Sequence, residues 1–96
     1  MEKEKALAIL HSSLPKLKAL GVESVAVFGS IARGEGSMES DIDVLISFSE
    51  KATFDRYMDV KFLLEDLLDK SVDLVTPGAL KPRIRAQVER EAIYVS

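Results

Sequence analysis

Ninety-six residues, 47% of them hydrophobic and 30% charged, suffice for one core and are too few for two, so a single domain spanning residues 1–96 is expected. That balance excludes a disordered chain, and a formal net charge of −3 argues against a general nucleic-acid binder, whose affinity would rest on a basic surface. The absence of cysteine removes disulfides, thiolate chemistry and cysteine-ligated zinc, and with no apolar run near the ~20 residues of a membrane span and no signal-peptide layout, a cytosolic protein is expected.

Residues 2–20 carry Ala6, Leu7, Leu10, Leu14, Leu17 and Leu20 at mostly helical spacing. Pro15 interrupts them, which predicts a break near Ser12-Ser13 and a second short helix or a kink, ended by Gly21. His11, the only histidine, is assigned no role. An apolar strand is expected from Val22 to Phe28 and a second from Asp41 to Phe48, joined through the turn-rich Gly34-Glu35-Gly36-Ser37, with Ser40 capping or bracing the entry into the second.

These two strands hold the chemistry. Gly29 lets the backbone turn tightly and approach a ligand, and Ser30 starts a short helix through Arg33, whose N-terminus offers N–H groups to phosphate oxygens. After ten intervening residues, Asp41 and Asp43 project from one strand face, while Ile42 and Val44 point the other way. Two converging carboxylates repel and one must hold its proton unless a cation lies between them. Magnesium is the natural cation, because it is held by one or two carboxylates together with substrate phosphates. The plainer readings are an N-cap for Ser30, a wet edge strand for the acids and a flexible connection for the loop. Charges at the mouth of a run as apolar as Val44-Leu45-Ile46, which reads as buried on both faces, favour a site instead.

A long helix is predicted over residues 53–69, with Phe54, Tyr57, Met58, Leu64, Leu67 and Leu68 on its apolar face and Asp55, Arg56, Asp59, Glu65, Asp66 and Asp69 on the other. A strand from Ser71 to Val75 follows, and its Asp73 joins Asp41 and Asp43 if the two strands are neighbours. Thr76-Pro77 reads as an N-cap and first-turn proline. Residues 82–91 form another short helix with Ile84 and Val88 inward, and Ala92 to Val95 closes the chain as a strand. Lys81, Arg83, Arg85 and Arg90 make this tail the most basic region and a candidate docking surface for a partner.

Gly29-Ser30, ten residues, Asp41-x-Asp43, with Ala32-Arg33-Gly34 behind the serine and the later Val72-Asp73-Leu74-Val75-Thr76-Pro77, resemble the minimal nucleotidyltransferases of the DNA polymerase beta superfamily, in particular the antitoxins paired with HEPN-domain toxins. The resemblance spans nearly the whole chain. It implies an α/β (α+β) fold with a small mixed sheet packed with helices, Mg²⁺, and ATP as nucleotide donor. Carried over by position, Asp41, Asp43 and Asp73 would be the catalytic and metal-binding acids, Asp73 helping a hydroxyl lose its proton. Gly29 and Ser30 would hold the triphosphate, with Arg33 beside them either meeting a phosphate or holding the loop. The acceptor implied is a tyrosine of a HEPN-type partner, with which a complex is possible. The chain is too short for the added domains with which larger relatives hold tRNA, DNA or an antibiotic. Against this enzyme stand a non-catalytic antitoxin that masks its partner by contact and, more weakly, a nucleotide sensor.

Overall fold

The computed structural model describes residues 2–35 and 41–96. The expected turn at Gly36-Ser37 and the brace at Ser40 lie outside the described residues. The elements are α1 (Lys3–Ser12), α2 (Leu14–Ala19), β1 (Val22–Phe28), α3 (Gly29–Ala32), β2 (Ile42–Phe48), α4 (Phe54–Leu68), β3 (Val72–Val75), a 3-10 turn (Pro77–Ala79), α5 (Pro82–Glu91) and β4 (Ile93–Tyr94).

The N-terminal break falls where Pro15 requires it. Pro15 stands in the first turn of α2, and the Ser13 hydroxyl donates to the Ile9 carbonyl at 2.8 Å, which satisfies the buried serine at the junction. Gly21, with φ +89°, then turns the chain into β1. The sheet order is β3-β2-β1-β4, with β1 antiparallel to β2 and β4 and β2 parallel to β3. Helix α4 is the crossover that a parallel pair needs, and the Thr53 side chain caps its start by accepting from the Arg56 N–H at 3.1 Å.

Strand alternation sorts the sheet into two unequal faces. Val25 and Val27 of β1, Ile42, Val44 and Ile46 of β2, and Val72 and Leu74 of β3 meet Ala6, Leu10, Leu17, Val60, Leu64 and Leu68 of the helices in the main core. On the opposite face Ala26 and Leu45 are covered by Val88 of α5, with Phe28, Leu80 and Ala92 only partly buried around them. Asp43 shares the parity of Leu45 and so belongs to this thinly covered face, while Asp41, expected to begin the strand, lies one residue before β2, which starts at Ile42.

Two inward assignments do not hold. Phe54 is 74% exposed and Ile84 46% exposed. Phe54 begins α4 in its first turn, and Val60 occupies the core position instead. On α5, Val88 alone is buried, since the helix rests on a small apolar patch. Thr76 opens the 3-10 turn without a side-chain cap bond. No helix among the described residues is long and apolar enough to cross a membrane.

Candidate active site

Strand pairing brings the acids together. The parallel register sets Asp43 of β2 against Asp73 of β3, and on the other side Asp43 faces Phe28, the last residue of β1. Neighbours at equal register point to one face, so the two carboxylates converge although thirty residues separate them. Asp41 lies one residue before β2 and is exposed; Asp43 is half-buried and Asp73 is exposed.

Gly29 closes the site from below. Its φ of +75° is a left-handed conformation that a side chain disfavours, and a methyl group there would sit on the Asp43 carboxylate, 3.0 Å from its Cγ and 3.3 Å from its Cβ. A glycine is required twice, for the turn and for room. Ser30 follows, half-buried in the first turn of α3, which begins at Gly29 with Phe28 at the N-cap position; Ser30 is therefore not the cap.

The electrostatics follow from this crowding. Burial, then the charge of Asp73 and a hydrogen bond with it, then Asp41, push the Asp43 carboxyl up to about 6, and the opposing pull of Arg33 does not offset them. Arg33, at the C-cap of α3, points its Nε to Glu35 at 2.7 Å and its Nη1 to both carboxylate oxygens of Glu91 at 3.1 Å. It thus ties α3 to the end of α5 while its charge still reaches Asp43. Glu91 carries no motif in the sequence, and its role becomes visible only once α5 returns beside α3. Arg85 is not a free rim charge either. Its Nη2 donates to the Pro77 and Leu80 carbonyls at 3.0 and 3.2 Å, so it fastens the turn after β3, and the exposed cations of this tail are Lys81, Arg83 and Arg90.

Among the described residues no three His, Cys, Asp or Glu side chains already form a metal cage. The convergent unit is the Asp43–Asp73 pair, with Asp41 acting on Asp43 at longer range. The donor chemistry fits a hard divalent ion all the same. The oxygens are carboxylate, burial and then the neighbouring acids hold the Asp43 carboxyl above its ordinary range, which a bound cation would reverse, and one or two protein carboxylates suffice when substrate phosphates complete the shell. The arrangement can bind a cation-neutralised anion above α3 and offer a carboxylate, Asp73, to a proton-bearing group.

Residues 10–95 match the family described as a nucleotidyltransferase domain. Over 75 residues the chain is 41% identical to the protein adenylyltransferase MntA of Thermococcus cleftensis, an alignment covering 78% of this chain and 76% of that protein. A solved structure described as a minimal nucleotidyltransferase superposes with a TM-score of 0.85 at 42% identity, over 97% of this chain and 95% of that one. A chain of the tri-AMPylated Shewanella oneidensis HEPN toxin in complex with MNT antitoxin superposes with a TM-score of 0.67 over 94% of this chain and 71% of that one; at 18% identity the likeness is one of fold.

Proposed function

Because this chain belongs to the nucleotidyltransferase domain family and is an enzyme of the protein adenylyltransferase kind, we propose that it moves AMP from ATP to a tyrosine hydroxyl of a HEPN-type toxin, acting in the cytoplasm as that toxin's antitoxin. The observation that carries this reading is the register of Asp43 with Asp73 over Gly29, which brings acids from separate strands together at a backbone that lies directly against the Asp43 carboxylate. The nature of the partner is suggested by the complex of like fold, in which an MNT antitoxin accompanies an AMPylated HEPN toxin.

In the proposed reaction the acceptor oxygen bonds to the α-phosphorus of ATP, the bond from that phosphorus to the oxygen bridging to the β-phosphate breaks, and pyrophosphate leaves. Ser30 and the N–H groups of the first turn of α3, which lack partners within the helix, bind the triphosphate. Arg33 adds positive charge beside it. Asp41, Asp43 and Asp73 would hold Mg²⁺, which when bound neutralises phosphate charge and favours the departing pyrophosphate. Asp73 is the exposed member of the close pair and so the one open to an incoming hydroxyl, whose proton it accepts and later yields to water.

A module that only masks its partner has no use for this cluster. Holding Asp43 against Asp73 costs stability at neutral pH and supports no part of the core, so a masking protein would gain by losing it. The test is turnover. This chain, supplied at one-tenth the concentration of its toxin partner with ATP and Mg²⁺, should leave most of the partner heavier by one or more AMP units in its intact mass. Neutralisation only at equal concentrations, with no mass change and no need for ATP, would overturn the enzymatic reading. Gly29→Ala should fail in the same assay by at least tenfold and lose about 1–3 kcal/mol of stability, since the methyl both strains φ and displaces Asp43. Normal transfer by this variant would show that the chain does not use the close approach at Gly29.

A further inference from the structure

Strand β3 is the sheet edge on the side of α4, and it carries Asp73. In a parallel ladder the backbone groups of alternate residues face the neighbouring strand. The Ile42 N–H donates to the Ser71 carbonyl at 3.0 Å, so Ser71, Asp73 and Val75 turn their backbone groups toward β2, and those of Val72 and Leu74 point away from the sheet. Both outward residues have a partner on α4. The Val72 N–H donates to Glu65 Oε2 at 3.0 Å, and the Tyr57 hydroxyl donates to the Leu74 carbonyl. The two bonds lie on either side of Asp73 in the chain and come from residues eight apart on one helix.

We propose that Tyr57 and Glu65 are positioning residues which pin the free edge of β3 on both sides of Asp73 and so fix this carboxylate against Asp43; this rests on the reading of Asp73 as the proton acceptor. A four-residue edge strand secured along one side only would slide or fray, and a carboxylate on it would lose its register with Asp43. Burial, and then the charge of Asp73, hold the Tyr57 phenol above its ordinary range, which keeps it a hydroxyl donor. The same two bonds occupy edge groups that could otherwise pair with a foreign strand. Both side chains are half-buried, and neither belongs to the family signature, which is why the sequence placed Tyr57 merely in the core and Glu65 on the wet face.

The test compares Tyr57→Phe, Glu65→Ala, Glu65→Gln and Asp73→Asn with the parent, by adenylyl transfer and by amide hydrogen exchange of the ligand-free protein. Tyr57→Phe and Glu65→Ala should each lower kcat on the order of tenfold, with the KM for ATP nearly unchanged, because a carboxylate is misplaced while the triphosphate contacts remain. Glu65→Gln keeps an acceptor oxygen and should restore most of what Glu65→Ala loses. In Glu65→Ala the Val72 amide should exchange faster, whereas amides of β1 should not. If Asp73→Asn abolishes transfer while Tyr57→Phe and Glu65→Ala leave kcat intact, or if Val72 exchange is unchanged, the positioning role is wrong. If Asp73→Asn itself transfers normally, the fault lies with the assignment of Asp73, and the exchange result still decides whether the edge is pinned.

Discussion

Asp43→Asn should abolish adenylyl transfer and at the same time make the protein more stable at neutral pH. The two effects share one cause. The carboxyl of Asp43 is held at about 6 by burial and by its acidic neighbours. An asparagine keeps the shape and cannot ionise. The folded parent holds this proton more tightly than the unfolded chain does. As pH rises from about 4 through about 6 the unfolded state therefore releases its proton first, and the parent loses stability across that window. Above it the loss is complete, roughly 1–2 kcal/mol after allowance for a group half open to solvent. Below about 4 the acid is neutral in both states and the variant has no advantage.

Melting temperatures in EDTA at pH 4 and pH 7.5 should thus agree between parent and variant at the lower pH and favour the variant at the higher one. Mg²⁺ with ATP should then raise the parent, because a ligand that binds only the folded state stabilises it, and should raise Asp43→Asn far less. Transfer should fall about a thousandfold, equivalent to roughly 4 kcal/mol of barrier. Residual transfer within tenfold of the parent, or an equal response of both proteins to Mg²⁺ with ATP, would remove Asp43 from the site.

Much of this was legible in the chain itself, and the reason is local. Val25 to Phe28 is an apolar run closed by a glycine, and Pro82 starts α5 where a missing N–H does no harm, so both elements lie where they are expected. The face of Asp43 follows from strand geometry, whereas Asp41, expected to open the same strand, falls one residue before β2. Asp73 needed one further fact, that β3 lies beside β2, and a helical crossover between two short strands made that the natural topology. What could not be read was pairwise and long-range. Arg33 and Glu91 are 58 residues apart, and nothing in either neighbourhood names the other. A helical repeat locates the apolar side of α4 but not which of its turns reach the core, and Phe54 in the first turn is exposed. Glu65 failed for the complementary reason. A carboxylate on a boundary position reads as solvated from the sequence, whereas the outward N–H of Val72 gives it a partner.

Leu64→Ala should separate scaffold from chemistry in the opposite direction. Leu64 is fully buried in the C-terminal half of α4, in one core with Val44 and Ile46 of β2 and Leu74 of β3. Truncation removes the transfer energy of the lost carbons and leaves a cavity, together about 2–5 kcal/mol. A domain of this size holds only about 5–15 kcal/mol in total, so the loss should lower the melting temperature by roughly 10–30 °C. The carboxylates themselves are untouched. At a temperature where both proteins are folded, the variant should retain transfer to within a few-fold, and its rate should collapse along its own melting curve rather than at all temperatures. Helix α4 adds a sharper expectation, since it carries Tyr57 and Glu65 as well as Leu64. Any loss of kcat in the folded variant should come with faster exchange at Val72, because a helix that settles into the cavity takes its two side-chain bonds with it. A melting temperature within about 3 °C of the parent would mean that α4 does not bury Leu64 against the sheet. The account of how β3 is held in register would then fail with it.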